Sequence, residues 1–323
     1  MLFYSLHEIV GMLLAAMVID LCIGDPKWPT HPVIYIGRWI RYLESKLLIQ
    51  GSPRLIRWRG VILTSSTMLI SFGLILLTVY LANFIHVWLG YIVTTWFIST
   101  TIAIKGLKDA AYLVVAPLKQ GNLEDARTYT GYIVGRDTHE LGEEQLTRAV
   151  VETVAENIVD AVIAPLIYAL LGAAPLAMLY RSSNTLDSMV GYRNEKYQHF
   201  GWASARWDDV MNWIPARITG LLLIVVAWAL PRLSARRAAS AIRRFAKLHP
   251  SPNSGIPESA VAGALGIELG GINSYGGVRS ERARLGWPLR ERTLHDIVLT
   301  VRLLYGVSLV WMGVLLCVLL WLI

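Results

Sequence analysis

The sequence predicts an all-α protein: a polytopic integral membrane chain whose helices are broken by polar, Gly/Pro-rich insertions. Three observations carry that expectation. Hydrophobic residues make up 54% of the 323 and charged residues only 16%, and the mean hydropathy is +0.48, more apolar than a soluble core of this size requires. Apolar runs long enough to cross about 30 Å of hydrocarbon, at roughly 1.5 Å per residue, recur along the chain. Strand-like alternation is absent over any useful length, which excludes an outer-membrane barrel.

Taken in order, residues 9–24 read as a short or marginal span that already carries Asp20. No basic lead precedes it and no small-residue cleavage site follows, so it is not a removable signal peptide. Residues 61–85 and 87–104 contain no Lys, Arg, Asp or Glu and are the cleanest spans. Residues 161–179 form a further span, bent by Pro165, Gly172 and Pro175. Residues 214–230 and 297–322 complete the set, the last with Arg302 near its start. The whole chain, 1–323, reads as one helical membrane domain lodged in the cell membrane. Its polar segments 135–160, 181–213 and 249–292 are where chemistry is to be sought. In the third, the prolines and glycines of "HPSPNSGIPES" (249–259) and "LGGINSYGG" (269–277) argue against regular helix.

The formal net charge is +7, but the cations cluster beside apolar runs. Arg38, Arg41, Lys46, Arg54, Arg57 and Arg59 fill the first loop, and Arg232, Arg236, Arg237, Arg243, Arg244 and Lys247 follow the 214–230 segment. That is the positive-inside bias of membrane proteins, with a smaller share left to attract anionic lipid or substrate. Nucleic acid is not the expected partner. Cys22 and Cys317 lie in apolar context and read as packing residues rather than a disulfide or metal pair.

One polar stretch stands out. In "ETVAENIVDAVIAPL" (152–166), Glu152, Glu156 and Asp160 recur every four residues, so a regular helix places successive carboxylates about 40° apart on one face. Like charges at that spacing repel, so a cation must answer them: a metal, Arg148 one turn upstream, or a basic group from elsewhere. Carboxylates at this spacing suit Mg²⁺, which takes one or two of them plus waters and phosphates. Arg181, Asn184 and Asp187 recur at helical spacing in "YRSSNTLDSMV", and Asp208, Asp209 and Asn212 crowd together before the 214–230 span. No Gly-Lys-Ser/Thr phosphate loop, GxSxG or HExxH motif occurs.

Together, "GDPKWPTHPVIYIG" (24–37), "GRDT" (135–138), "RAVVETVAENIVDAVIAPL" (148–166), "NTLDSMVGYRNEKYQHFGWASARWDDVMNWIPAR" (184–217) and "HPSPNSGIPESAVAGALG" (249–266) resemble the adenosylcobinamide-phosphate synthase family of cobalamin biosynthesis. The likeness runs in order over nearly the whole chain. It loosens at 278–292, where Ala283-Arg284-Leu285-Gly286 stands in place of an expected Lys-Pro before glycine. It implies a membrane enzyme that joins the ring D propionate of adenosylcobyric acid to (R)-1-aminopropan-2-ol or its O-phosphate, using ATP as co-substrate and Mg²⁺. Its partners would be those substrates, the lipid bilayer and other membrane enzymes of the corrinoid pathway.

Residue type then suggests roles. Glu152, Glu156, Asp160, Asp187 and Asp209 are the candidate catalytic acids, the first four also the Mg²⁺ ligands. Arg136, Arg181, Arg193 and Arg206 are candidate phosphate clamps. Asp137, Asn157, Asn184, Asn212, His249 and Asn253 complete the substrate-binding set. Two rival classes share some of these features. A Mg²⁺-dependent membrane prenyl or CDP-alcohol transferase would use Asn184, Asp187, Asp208 and Asp209. A transporter would instead need ionisable groups in mid-span, and the clean spans have none.

Overall fold

The computed structural model describes residues 3–24, 30–192 and 194–322. The helices, in chain order, are α1 (Leu6–Ile23), α2 (Pro32–Leu47), α3 (Pro53–Ile85), α4 (Val87–Ser99), α5 (Ile104–Lys119), α6 (Leu123–Gly131), α7 (Glu143–Ile158), α8 (Ala164–Val190), α9 (Trp202–Met211), α10 (Trp213–Ala229), α11 (Ala235–Phe245), α12 (Gly255–Leu265) and α13 (Leu294–Leu322). A single antiparallel hairpin, β1 (Glu268–Tyr275) with β2 (Val278–Gly286), precedes α13. The protein is mainly all-α. Among the described residues five helices, or six if the bent α9–α10 pair counts as one span, are long and apolar enough to cross a membrane. It is a multi-pass membrane chain.

Two compact units emerge: residues 1–103, 164–212 and 314–323 form the first, and 104–163 with 213–313 form the second. In the first, α3 packs against α8 and α9 through small residues. A Cβ on Gly60 would lie 1.9 Å from the Phe200 carbonyl oxygen just before α9, and where the chain passes from α8 to α9 one on Gly201 would lie 1.7 Å from that of Val190. Thr64 and Ser204 share a buried 2.9 Å hydrogen bond across the same contact. α8 loses helical geometry at Gly172 and Ala173, the latter at φ 52°. Pro175 has no N–H to return to the preceding turn, which accounts for the break. Cys22 and Cys317 are free and exposed, not packed as their apolar context suggests.

The second unit is built around α12, every residue of which is buried. The helix forms despite Pro257 because that proline lies in the first turn, where no intrahelical acceptor awaits its missing N–H. Its far end is closed by Gly266 at φ 73° and by cations. Arg237 donates to the Gly263 and Ala264 carbonyls (3.1 and 3.3 Å), and Arg290 donates to that of Leu265 (3.1 Å); cations suit a helix C-terminus. Segment 249–292, expected to be irregular, thus holds a buried helix and a hairpin. The acidic stripe also departs from expectation: Val159–Ile163 is a π-helical turn. Pro165 offers no N–H to the Ala161 carbonyl, and the helix widens there. Asp160 therefore sits on a widened turn rather than on the regular helix that carries Glu152 and Glu156.

Gly60→Ala is expected to lower the melting temperature of the detergent-purified protein, with an overpacking cost of about 1–3 kcal/mol. Gly73→Ala on the same helix, where a new Cβ meets nothing within 4 Å, should leave melting unchanged or raise it slightly. Equal melting temperatures for the two variants would refute close backbone packing at Gly60.

Candidate active site

The second unit gathers its polar groups where α7 meets the hairpin. Glu152 is buried, and a buried carboxylate must be hydrogen-bonded or paired. Its Oε2 accepts from Arg136 Nη2 at 2.7 Å, and its Oε1 accepts from the Gly270 backbone N–H at 2.7 Å, with Arg148 Nε 3.7 Å away. Gly270 is available because β1 bulges between Leu269 and Gly271, which turns its amide out of the ladder. Its φ of +82° and the Ala283 carbonyl, which would stand 2.0 Å from a Cβ, both require glycine. Arg148 returns the contact, donating to the Gly270 carbonyl, to that of Ile272 (2.8 Å) and to Asn273 Oδ1 (2.6 Å). Arg136 donates to the same Asn273 oxygen.

Asp137 anchors the other end of the hairpin. It accepts from Ser274 Oγ and from the Gly276 and Gly277 amides at 2.8–3.0 Å. The Gly277 amide, Ser274 hydroxyl and Gly276 amide, in that order, hold its carboxyl below the ordinary range. Arg136, expected to clamp phosphate, and Asp137, expected in the substrate-binding set, here fasten the hairpin.

One turn beyond Glu152, Glu156 is half-buried and accepts from Ser254 Oγ at 2.8 Å. It has no ion-pair partner among the described residues. Asn157 folds back on its own helix, donating to the Thr153 carbonyl at 2.8 Å. His249 and Glu258 lie buried beside one another, Nε2 to Oε1 3.6 Å apart. His249 Nδ1 lies 3.0 Å from the Ser251 backbone N–H and 3.3 Å from the Ser251 carbonyl oxygen, and its Nε2 faces Glu258. The spacing would suit an ion pair, but burial, the largest cause for both, favours the uncharged forms. It pushes His249 down and Glu258 well up, and the charges of Glu156 and Glu152 push Glu258 further. The N-terminal end of α12 favours an anion at Glu258 by at most about 2 kcal/mol, too little to offset full burial of a carboxylate. Asn253, also buried, accepts from Arg217 Nη1 at 3.3 Å.

Arg181, Asn184, Asp187, Arg206, Asp209 and Asn212 belong to the first unit. There Asn212 donates to Asp208 Oδ2 and accepts from Tyr180, both at 2.9 Å. An exposed Arg206 and a half-buried Asp209 form a loose pair at 3.9 Å. The backbone carbonyls of Arg181 and Asn184 accept from Thr185 and Ser188. Arg193 lies outside the described residues.

Among the described residues no group of three or more His, Cys, Asp or Glu is placed to hold a metal ion. Glu152, expected as a Mg²⁺ ligand, has both oxygens occupied by donors. The expected Glu152–Glu156–Asp160 cradle does not fit a resident metal, because Glu152 is already answered by two arginines and a backbone amide.

Sequence reading passed over Glu258, Asn273, Gly270 and Arg282. Arg282 sits on β2 opposite Gly271. Burial lowers its pKa, but Tyr275 and the carboxylates of Glu258, Glu156 and Glu152 outweigh this and hold it above the usual arginine value.

Residues 13–304 match the family described as CobD/Cbib protein. The Cobalamin biosynthesis protein CobD of Halalkalibacterium halodurans is 47% identical over 285 residues, 88% of each chain. That of Pelobacter propionicus is 44% identical over 298 residues, 92% of this chain and 91% of its own. The Cobalamin biosynthesis protein CbiB of Salmonella arizonae is 46% identical over 295 residues, 91% and 92% of the two chains. No solved structure matches the chain.

The two neutral groups give opposite pH signatures. Glu258, raised from 4.5, keeps a proton in the folded state, so its contribution is present below about pH 4.5 and is lost as pH rises through the folded value. His249, lowered from 6.5, resists a proton that the unfolded chain accepts, so stability falls as pH drops below about 6.5. Glu258→Gln removes the first effect and leaves the second. Its melting temperature relative to wild type should therefore climb between about pH 5 and pH 9. A difference that stays flat across that range would show that Glu258 is not held neutral.

Proposed function

The chain belongs to the CobD/CbiB family and acts in cobalamin biosynthesis; on that premise we propose that it is the amide-forming ligase of the pathway. The bond formed joins the ring D propionate of adenosylcobyric acid to the amine of (R)-1-aminopropan-2-ol or its O-phosphate, at the cell membrane. The observation that supports this best is Glu156: a half-buried carboxylate, positioned by Ser254 and without an ion-pair partner among the described residues. It is suited to bind an alkylammonium and then take its proton.

A carboxylate and an ammonium ion do not condense usefully in water, because the acid is a poor electrophile and the amine is masked by its proton. ATP removes the first obstacle. Transfer of phosphoryl or adenylyl to the carboxylate oxygen gives a mixed anhydride, with ADP or diphosphate leaving. Magnesium enters with the nucleotide as part of that substrate, and no step is assigned to a protein-held metal. Glu156 removes the second obstacle by accepting the ammonium proton, which frees the nitrogen lone pair to attack the acyl carbon. Breaking the anhydride bond then releases phosphate or AMP and leaves the amide. His249 points Nε2 at Glu258, so its part is to support the buried side of the site rather than to meet substrate.

Purified protein given adenosylcobyric acid, ATP, Mg²⁺ and either aminopropanol or its phosphate is expected to yield the corresponding amide by mass spectrometry. No amide from either amine would overturn this reading. Glu156→Gln is expected to lower kcat roughly 10²- to 10⁴-fold while yield and membrane insertion stay at wild-type levels. Near-normal turnover in that variant would remove Glu156 as the base.

A further inference from the structure

We propose that Arg282 is the anion-binding residue of this site, holding the reacting carboxylate of the acid substrate across from Glu156. The inference rests on the ligase reading. It starts from the hairpin's geometry. Residues two apart on a strand share a face, so Gly271, Asn273 and Tyr275 on β1 lie on the face that meets Arg136 and Arg148. The register pairs Gly271 with Arg282, Asn273 with Ser280 and Tyr275 with Val278, which puts Arg282 on that same face. Its cross-strand neighbour Gly271 has no side chain, so on β1 only the Tyr275 ring, 6.0 Å away, lies beside it.

The neighbouring guanidinium groups are all engaged. Arg136 holds Glu152 and Asn273, Arg148 holds the bulge, and Arg292 bridges the Glu268 carbonyl and Glu144. Arg282, half-buried, makes no hydrogen bond or ion pair among the described residues, and its only ring contact is with Tyr275, at 6.0 Å. It nonetheless stands in the field of Glu258, Glu156 and Glu152. If it merely neutralised those acids, it would be expected to contact one, because a partly desolvated cation gains most from a direct fork. An unengaged guanidinium facing the reaction face is matched instead to a planar oxyanion from outside.

Three oxyanions enter the proposed reaction: the acid's carboxylate, the nucleotide phosphates and, where the amine is phosphorylated, its phosphate. The carboxylate is favoured. A phosphate dianion beside Glu156 would be repelled more strongly than a monoanion, and Glu156 must sit next to the carboxylate's reaction partner. The site then presents one fixed cation for the acid and one fixed anion for the ammonium.

The test compares Arg282→Ala and Arg282→Lys with wild type in detergent. Binding of adenosylcobyric acid alone, followed by quenching of intrinsic fluorescence, is expected to weaken roughly 10- to 100-fold in the alanine variant, the range for a lost charge-assisted hydrogen bond. The lysine variant should recover part of that loss. Adenosylcobinamide has an amide in place of the carboxylate, so its affinity should change less than about twofold, a split that general misfolding would not produce. In turnover, the KM for the acid should rise while those for ATP and the amine stay level. Equal losses for acid and amide ligand, a rise confined to ATP or amine phosphate, or wild-type acid binding in the alanine variant would each overturn the assignment. Those outcomes are read against wild-type amide formation. If the wild type makes no amide, the ligase reading fails and takes this inference with it; if it does, only Arg282 is at stake.

Discussion

The second unit is organised by one constraint: the Glu152 carboxylate is buried on a helix face and must be answered there. Two arginines and a backbone amide answer it. Removing one partner of such a buried pair typically costs about 3–5 kcal/mol, because the remaining charge is stranded. That demand fixes three otherwise separate features. β1 has to bulge, the bulge has to carry glycine, and Arg136, from the turn before α7, has to reach inward to the same place. Asn273, accepting from both arginines, ties the hairpin to the result. The hairpin is therefore less a β-sheet in its own right than a clasp closed over α7. Two strands alone are marginal in water, and this pair is held by its polar face.

The same unit treats its other acids differently, and the difference follows from what surrounds each. Glu258 sits in a helix with no exposed residue, with His249 at 3.6 Å and no Lys or Arg ion pair among the described residues. Losing its charge is the cheaper solution there. Asp137, at the open end of the hairpin, meets two backbone amides and a hydroxyl, which favour its charged form. Glu156 has one hydroxyl and partial exposure. Three nearby carboxylates thus meet three solutions: pairing at Glu152, neutralisation at Glu258, and at Glu156 a charge left open to an incoming group.

Much of the helical architecture was legible because its signals are local. Uncharged apolar runs at 61–85 and 87–104 lie in the helices Pro53–Ile85, Val87–Ser99 and the start of Ile104–Lys119. The acidic stripe drew notice for its spacing, but its use depended on contacts that spacing cannot show. Gly270 lies 118 residues from Glu152 in sequence. The hairpin escaped because its inner face carries Asn273, Tyr275 and Arg282 in place of alternating apolar side chains. Glu258 looked like an ordinary first-turn acid, and Arg282 like one charge among several in "RSERARLG". The helix at Gly255–Leu265 was obscured by prolines and glycines whose positions, before and within its first turn, are harmless.

These charge choices bear on the chemistry. An amide ligase must bring together groups of opposite charge whose charges both have to disappear, the carboxylate by activation and the ammonium by proton loss. A site crowded with uncompensated carboxylates would hold the amine but repel the acid, and a site of free arginines would do the reverse. Pairing Glu152 with arginines and holding Glu258 neutral removes both excesses. Among the described residues, Glu156 and Arg282 are an acid and a guanidinium near this cluster left without an ion-pair partner. On the proposed ligase reading that pair would meet the carboxylate and the ammonium, with the neighbouring charges already satisfied within the fold.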